Sequence, residues 1–223
     1  MNAVRVGVVI PLFNHGASVA DVVKRALAYC PHVLVVDDGS TDTGADKLTG
    51  LPIELLRLPT NKGKGAALLA GATALGIKGM THMVTLDADG QHYPEDLPQM
   101  LAAISHTPHA FIVGARDFST PNVPKSSRFG RRFDAFWMVF QTGQKISDMQ
   151  SGFRANPLEA LRCLRLHERR YAFEIEVLVR AAWAGFAIRE IPIHVHYPPR
   201  EERISHFHPW SDNVSISLLN TRL

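Results

Sequence analysis

The sequence predicts an α/β fold, a mostly parallel central sheet flanked by helices. Three observations carry that expectation. Apolar runs of strand length alternate with stretches of helical spacing from residue 4 to residue 116. The runs are continuous and rich in β-branched residues, as strands covered on both faces are. Several of them stop at charged residues, and in open α/β sheets ligands bind beyond the carboxyl ends of the strands.

Val4 to Leu12 is the first such run, closed by Pro11 and Asn14. Ser18, with Asp21 three residues later, resembles a capping box, and Val19, Val22, Val23, Ala26 and Leu27 then repeat at helical spacing. A second strand, His32 to Val36, runs into VVDDGSTD and leaves Asp37 and Asp38 at its end. The third is expected at Ile53 to Leu58. Right-handed crossovers follow from this alternation.

NKGKGAALLAGATALG, Asn61 to Gly76, places two glycines and two lysines before an Ala/Leu-rich helix. Backbone amides and the Lys62 and Lys64 side chains are so placed to meet a phosphate at the helix start. The stretch is not a Walker A loop, because no GK[ST] follows, and it lacks the partners of a dinucleotide fingerprint.

The fourth strand ends in MVTLDADGQH, Met83 to His92. Residues two apart on a strand face the same way, so Asp87 and Asp89 can point together at one hard cation. Two carboxylates leave several positions of an Mg²⁺ or Mn²⁺ shell open, and substrate phosphates commonly take them. A plain Asp-Gly turn is the alternative. Pro94 to Ser105 reads as the next helix, and AFIVGAR as a fifth strand ending at Arg116.

Beyond Arg116 the rhythm breaks. Thr120 to Arg132 holds Lys125, Arg128, Arg131 and Arg132, and Phe133, Phe136, Trp137 and Phe140 follow. Basic residues beside an aromatic helix suggest a surface that meets anionic lipid, with a core helix as the alternative. SDMQSGFRA, Ser147 to Ala155, places Asp148 and Gln150 before a Gly-Phe-Arg turn. RRYAFEIEVLVRAAWAG reads as a helix with Glu174 and Glu176, and FAIREIPIHVHY as a late strand or hairpin. The tail combines Arg200, Arg203, His206, His208 and Asp212, the pattern of a polar acceptor loop, with a second metal site at the histidines as the alternative.

With 46% hydrophobic and 20% charged residues the chain can bury a real core. Its 24 Lys and Arg stand against 21 Asp and Glu, too even a balance to argue for nucleic acid. Cys30 and Cys163 form no CxxC pattern and read as buried thiols of a reducing compartment. With neither a cleavable signal layout nor a run of about 18 apolar residues, a cytoplasmic protein that does not span the membrane is expected.

The ordered set VVIPLFN, VVDDGSTD, NKGKGAAL, LDADGQH, VGAR, DMQSGFRA and FEIEVL resembles the family 2 glycosyltransferases of the GT-A fold, especially the dolichol-phosphate or polyprenyl-phosphate sugar transferases. The resemblance covers residues 4 to about 180. It implies one domain over 1–223, with a nucleotide-sugar part at 1–116 and an acceptor side at 117–223. Pro11 and Asp38 would line the base and ribose pocket with Asp37 in support, Ala88 would pack near the ribose, and Lys62 would join the donor site. Asp87, Asp89 and Gln91 would hold Mg²⁺ or Mn²⁺ on the donor's pyrophosphate, which makes Asp89 catalytic as well.

Arg116, Arg128 and Arg131 would meet the acceptor, a lipid-linked phosphate to which bidentate guanidinium is suited, and Arg203 would clamp the acceptor or the donor. Asp148 stays open between two roles. A hydroxyl acceptor needs a general base, whereas a phosphate monoester, with a second pKa of about 6, needs none and would leave Asp148 to hold the site together. The implied protein is an inverting transferase, cytoplasmic or peripheral at the membrane's cytoplasmic face. Two rivals stand beside it. A nucleotidyltransferase needs a basic Gly-rich loop directly after the first strand, which VVIPLFNHGAS lacks, and a non-catalytic nucleotide-sugar-binding partner would not need the intact DAD turn.

Overall fold

A computed structural model describes residues 3–117, 125–170, 172–196 and 219, with the side chains of 125–130 and 132 outside that description. The strands are β1 (Val6–Leu12), β2 (Val33–Asp37), β3 (Glu54–Arg57), β4 (His82–Thr85), β5 (Phe111–Arg116), β6 (Arg154–Pro157) and β7 (Ile188–Ile193). They form one sheet in the order β3-β2-β1-β4-β6-β5-β7. All neighbours are parallel except β6, which runs antiparallel to both β4 and β5. The expected α/β class holds.

Strand pleating divides the apolar side chains between two layers. Val8, Ile10 and Leu12 of β1 join Val33 and Val35 against α1 (Val19–Leu27) and α3 (Leu97–His106). Val9, Leu34 and Val36 face the other way, toward α2 (Lys64–Ile77), α4 (Lys125–Thr142), α5 (Leu158–Cys163) and α6 (Ala172–Trp183). Val22 and Val23 of α1 are fully buried, each worth about 1.5–3 kcal/mol over exposure. This two-sided cover is why the strands read as unbroken apolar runs.

Three expectations change. β6 was not foreseen where SDMQSGFRA reads as a turn; Arg154 and Pro157 suit a strand poorly, and pairing with β4 and β5 imposes it. Ser18 does not cap α1 through its side chain, because its hydroxyl donates to the Ala88 carbonyl at 2.6 Å. Cys163 is exposed, unlike Cys30, since it ends α5 beyond the buried face of Leu158, Ala160 and Leu161. FAIREIPIHVHY takes the strand alternative, as β7, with Val195 bridging antiparallel to His92.

The aromatic segment lies on α4. Met138 and Asp134 are buried there, while Phe136, Val139 and Phe140 stand 61%, 46% and 72% exposed at the spacing of one helix face. Among the described residues no helix is long and apolar enough to cross a membrane.

Candidate active site

The carboxyl ends of β1, β2, β4 and β5 meet at one edge of the sheet. Because β6 is antiparallel, its amino end, and with it the DMQSG loop, arrives at the same edge. Asp87 lies two residues past β4, facing α2 and α6. The Lys64 ammonium, in the first turn of α2, donates to Asp87 Oδ1 at 2.6 Å and to Glu174 Oε1 at 2.9 Å. Burial opposes ionisation of Asp87, but Lys64, His92 and Arg116 outweigh it and hold its carboxyl down, at about 2. Burial likewise opposes the charge on Lys64, and Asp87 and Glu174 reverse that, raising its pKa. Burial raises Glu174 despite Lys64 and Arg154.

Lys64 is held over the site by the turn before it. Gly63 has φ +97, a conformation glycine adopts without strain, and a Cβ there would press on the Arg169 carbonyl. Asp38, 2% exposed, fastens this turn to the end of β2 by accepting from the Lys62 and Gly63 amides, each at 2.8 Å. The Ala66 amide donates to the Arg169 carbonyl. Three of the amides around this helix start, those of Lys62, Gly63 and Ala66, are therefore already engaged within the protein. Lys62 is exposed and enters the site through its backbone.

Asp37 accepts from the Ser40 amide and Asn14 from the amides of Thr41 and Asp42, so the ends of β1 and β2 are tied together beside Pro11. In the DAD turn, Ala88 is buried, and Asp89 Oδ1 accepts from the Gln91 amide at 2.9 Å. Burial and the Asp87 charge both raise the Asp89 pKa. His92 is 3% exposed with its Nδ1 3.7 Å from Asp87 Oδ2, and burial lowers its pKa. The Thr85 hydroxyl donates to the Gly152 carbonyl at 2.6 Å, bringing Gly152 so near that a Cβ on it would collide with the Asp87 carboxylate. Gly152→Ala is expected to displace that carboxylate and cost about a hundredfold in turnover with the fold retained, read as kcat beside a circular dichroism melt.

Asp148 is 1% exposed, and Arg116 grips it through Nε at 2.7 Å, Nη2 at 2.8 Å and the backbone amide at 3.1 Å. Burial would raise the Asp148 pKa, but Arg116 lowers it on balance. Glu190 of β7 accepts from the amides of Ser147 and Asp148 and from the Ser147 hydroxyl, while Arg131 Nε donates to the Ser147 carbonyl. Buried Arg154 donates to the carbonyls of Ser151, Glu174 and Met149. The structure thus brings Asp87, Asp89, Arg116 and Asp148 to one edge with Arg131 behind the loop. The Arg128 side chain, Arg203 and the tail histidines lie outside the described residues.

Glu174, His92, Arg154 and Glu190 join the site although sequence reasoning assigned them no role there, and Lys64, expected to meet a phosphate, pairs with Asp87 and Glu174. The available signal was charge within apolar stretches, as in AFEIEVLV. Asp134 is another such group. On α4, with Gln150 donating to it at 2.6 Å, it is 2% exposed, and burial followed by the Asp148 charge raises its pKa from 3.8 to about 7. A raised folded-state value means the folded protein holds the proton more tightly. The stability it contributes is complete below about pH 4 and is lost as pH rises through about 7. Asp134→Asn is expected to flatten that fall in denaturant titrations from pH 4 to 8, and superimposable profiles would contradict the assignment.

The model of glycosyl transferase family 2 matches residues 7–165. The chain belongs to this family. As a family 2 glycosyltransferase it is 32% identical over 200 residues to a polyprenol monophosphomannose synthase of Mycolicibacterium smegmatis, covering 83% of this chain and 75% of that one. It is 28% identical over 213 residues to a UDP-N-acetylglucosamine–dolichyl-phosphate N-acetylglucosaminyltransferase of Methanococcus voltae, covering 85% and 84%. Among solved structures, glucosyl-3-phosphoglycerate synthase of Mycobacterium tuberculosis, in complex with Mn²⁺ and UDP, superposes with a TM-score of 0.68 over 90% of this chain and 75% of that one, at 18% identity. The fold of this glycosyltransferase is GT-A.

A divalent cation fits this family 2 site on charge. Four carboxylates, Asp87, Asp89, Asp148 and Glu174, face three cations, Lys64, Arg116 and Arg154. Desolvation and then the Asp87 charge raise the Asp89 pKa, and desolvation raises Glu174. Among the described residues no three His, Cys, Asp or Glu side chains form a preformed cage. Asp87 and Asp89 would hold the ion with oxygen positions left for a substrate.

Proposed function

We propose that this enzyme moves a glycosyl group from a nucleoside diphosphate sugar to a polyprenyl phosphate, by a single inverting displacement that depends on a divalent cation at Asp87 and Asp89. An acceptor phosphate oxygen bonds to the anomeric carbon as the bond to the diphosphate oxygen breaks, and nucleoside diphosphate leaves. The bound cation supplies stabilisation of the negative charge building on the pyrophosphate. Lys64 keeps Asp87 ionised and fixed, and the burial of the edge strengthens each electrostatic contact there. Pro11, Asp37, Asp38 and Ala88 shape the nucleoside side, with Asp38 acting through the turn it fastens.

The observation that carries the phosphate acceptor is Asp148. Both its oxygens are occupied by Arg116, and its carboxyl is held below its ordinary range, so it is poorly suited to take a proton from a sugar hydroxyl. A phosphate monoester needs no such base. The two relatives named above support the same reading, one by its polyprenol monophosphomannose product and the other by its dolichyl-phosphate acceptor. Arg116, Arg131, Arg128 and Arg203 are the acceptor-side cations of this proposal. The test offers polyprenyl phosphate and the corresponding free polyprenol with UDP- and GDP-sugars. Sugar transfer to the phosphate alone is expected. Equal transfer to the alcohol would restore Asp148 as a base, and donor binding without nucleoside diphosphate release would favour a non-catalytic partner.

The acceptor's prenyl chain places the enzyme at a bilayer, and the exposed Phe136, Val139 and Phe140 of α4 are the surface for that contact. Arg131 is committed to the Ser147 carbonyl, so charge reversal there would disturb the loop as well as the surface. The cleaner test is Phe136→Glu with Phe140→Glu, expected to reduce pelleting with anionic liposomes severalfold while leaving the melting temperature unchanged. Pelleting equal to wild type would remove this face from the account.

A further inference from the structure

His92 has an unusual setting for a buried side chain. The ring is 3% exposed, and among the described residues neither Nδ1 nor Nε2 has a hydrogen-bond partner. Buried polar groups are ordinarily satisfied, so a pair of orphaned ring nitrogens calls for a ligand or a water. The ring position is set from several sides. His92 bridges to Val195, the neighbouring Gln91 carbonyl accepts from the His196 amide at 2.8 Å, and the ring packs tilted on Phe153 at 6.0 Å between centroids.

Held in this way, Nδ1 lies 3.7 Å from Asp87 Oδ2, too far for a hydrogen bond and near enough for one ion to touch both. Oδ1 of the same carboxylate is already bound by Lys64, which leaves Oδ2 to share with His92. Asp89 follows two residues after Asp87 in the same turn and feels the charge of Asp87.

We propose that His92 is a nitrogen ligand of the divalent cation at Asp87 and Asp89; the three side chains are not a preformed set, so Asp89 turns in as the ion binds beside Asp87 and His92, giving the site a mixed oxygen and nitrogen set. This rests on the cation reading of the proposed function and adds a residue and a metal preference to it. Mg²⁺ favours all-oxygen, near-octahedral shells, whereas transition metals accept imidazole. The site therefore favours Mn²⁺ over Mg²⁺, and His92 is the source of that preference. The competing account is a space-filling histidine packed on Phe153.

Pulsed electron paramagnetic resonance of Mn²⁺ added to the full chain, with UDP and with GDP in separate samples, decides between them. Wild type is expected to show ¹⁴N modulation that changes to the ¹⁵N pattern when its histidines are ¹⁵N-labelled. His92→Gln and His92→Phe, the latter keeping the packing on Phe153, are expected to lose the modulation. They should bind Mn²⁺ about tenfold more weakly, with a smaller change for Mg²⁺ measured by competition. Bound Mn²⁺ without a histidine nitrogen in wild type, or modulation that persists in either folded variant, would overturn the role of His92 and leave the carboxylate site standing. Absence of Mn²⁺ binding to wild type under every condition would overturn the cation reading itself.

Discussion

Asp89→Ala is expected to lower sugar transfer by about a thousandfold at saturating donor, the scale of losing a group that stabilises transition-state charge directly. The same variant is expected to melt no lower than wild type in the absence of divalent cation. Asp89 is half-buried, and desolvation followed by the adjacent Asp87 charge raises its pKa, so the free enzyme maintains this carboxylate at a cost. Removing it relieves that cost while removing the chemistry, the usual opposition between function and stability at a charged site. Asp89→Asn, which keeps the shape, should behave alike in both respects. Full turnover in either variant would refute the assignment of the DAD turn.

The largest stability effect is expected from Lys64→Met. Its ammonium is the shared partner of Asp87 and Glu174, and the Glu174 side chain is 5% exposed. Removing the ammonium from this partly buried cluster strands the buried Glu174 and the Asp87 charge, at about 2–3 kcal/mol. The cost should fall when Glu174→Gln is added, since the neutral amide no longer requires the ammonium. The double variant is accordingly expected to lie above the sum of the singles in a denaturant titration. Strict additivity would show that Lys64 and Glu174 do not act as a unit. Lys64→Met should also abolish transfer, because Asp87 is then neither fixed nor held at its low pKa.

How far these roles can be read from residue order depends on how local they are. The strand ends carrying Asp37, Asp38, Asp87 and Arg116 follow directly from where the apolar runs stop. The pairing of Asp148 with Arg116 is not legible, because 32 residues and a strand reversal separate them. β6 is equally hidden: RANP has little strand propensity and becomes a strand because β4 and β5 flank it. The exchange of Lys62 for Lys64 turns on one backbone angle. Gly63 at φ +97 reverses the chain, leaving Lys62 outside and starting α2 at Lys64, over the sheet edge. Ser18 resembles a helix cap by spacing, yet its hydroxyl reaches the Ala88 carbonyl 70 residues away.

The central claim is that the edge formed by Asp87 and Asp89 is a cation-dependent nucleotide-sugar site, and ligand-induced thermal stabilisation tests it most directly. UDP, GDP and their sugars would be added to wild type and to Asp89→Ala, each with Mn²⁺ and with EDTA. Ligand at about a hundredfold over Kd stabilises the folded state by about 2.7 kcal/mol, a rise of roughly 5 °C or more for a chain of this size. The account expects that rise for one nucleotide class in wild type with Mn²⁺, and its loss both in EDTA and in Asp89→Ala. An equal rise in EDTA, or an undiminished one in Asp89→Ala, would contradict it.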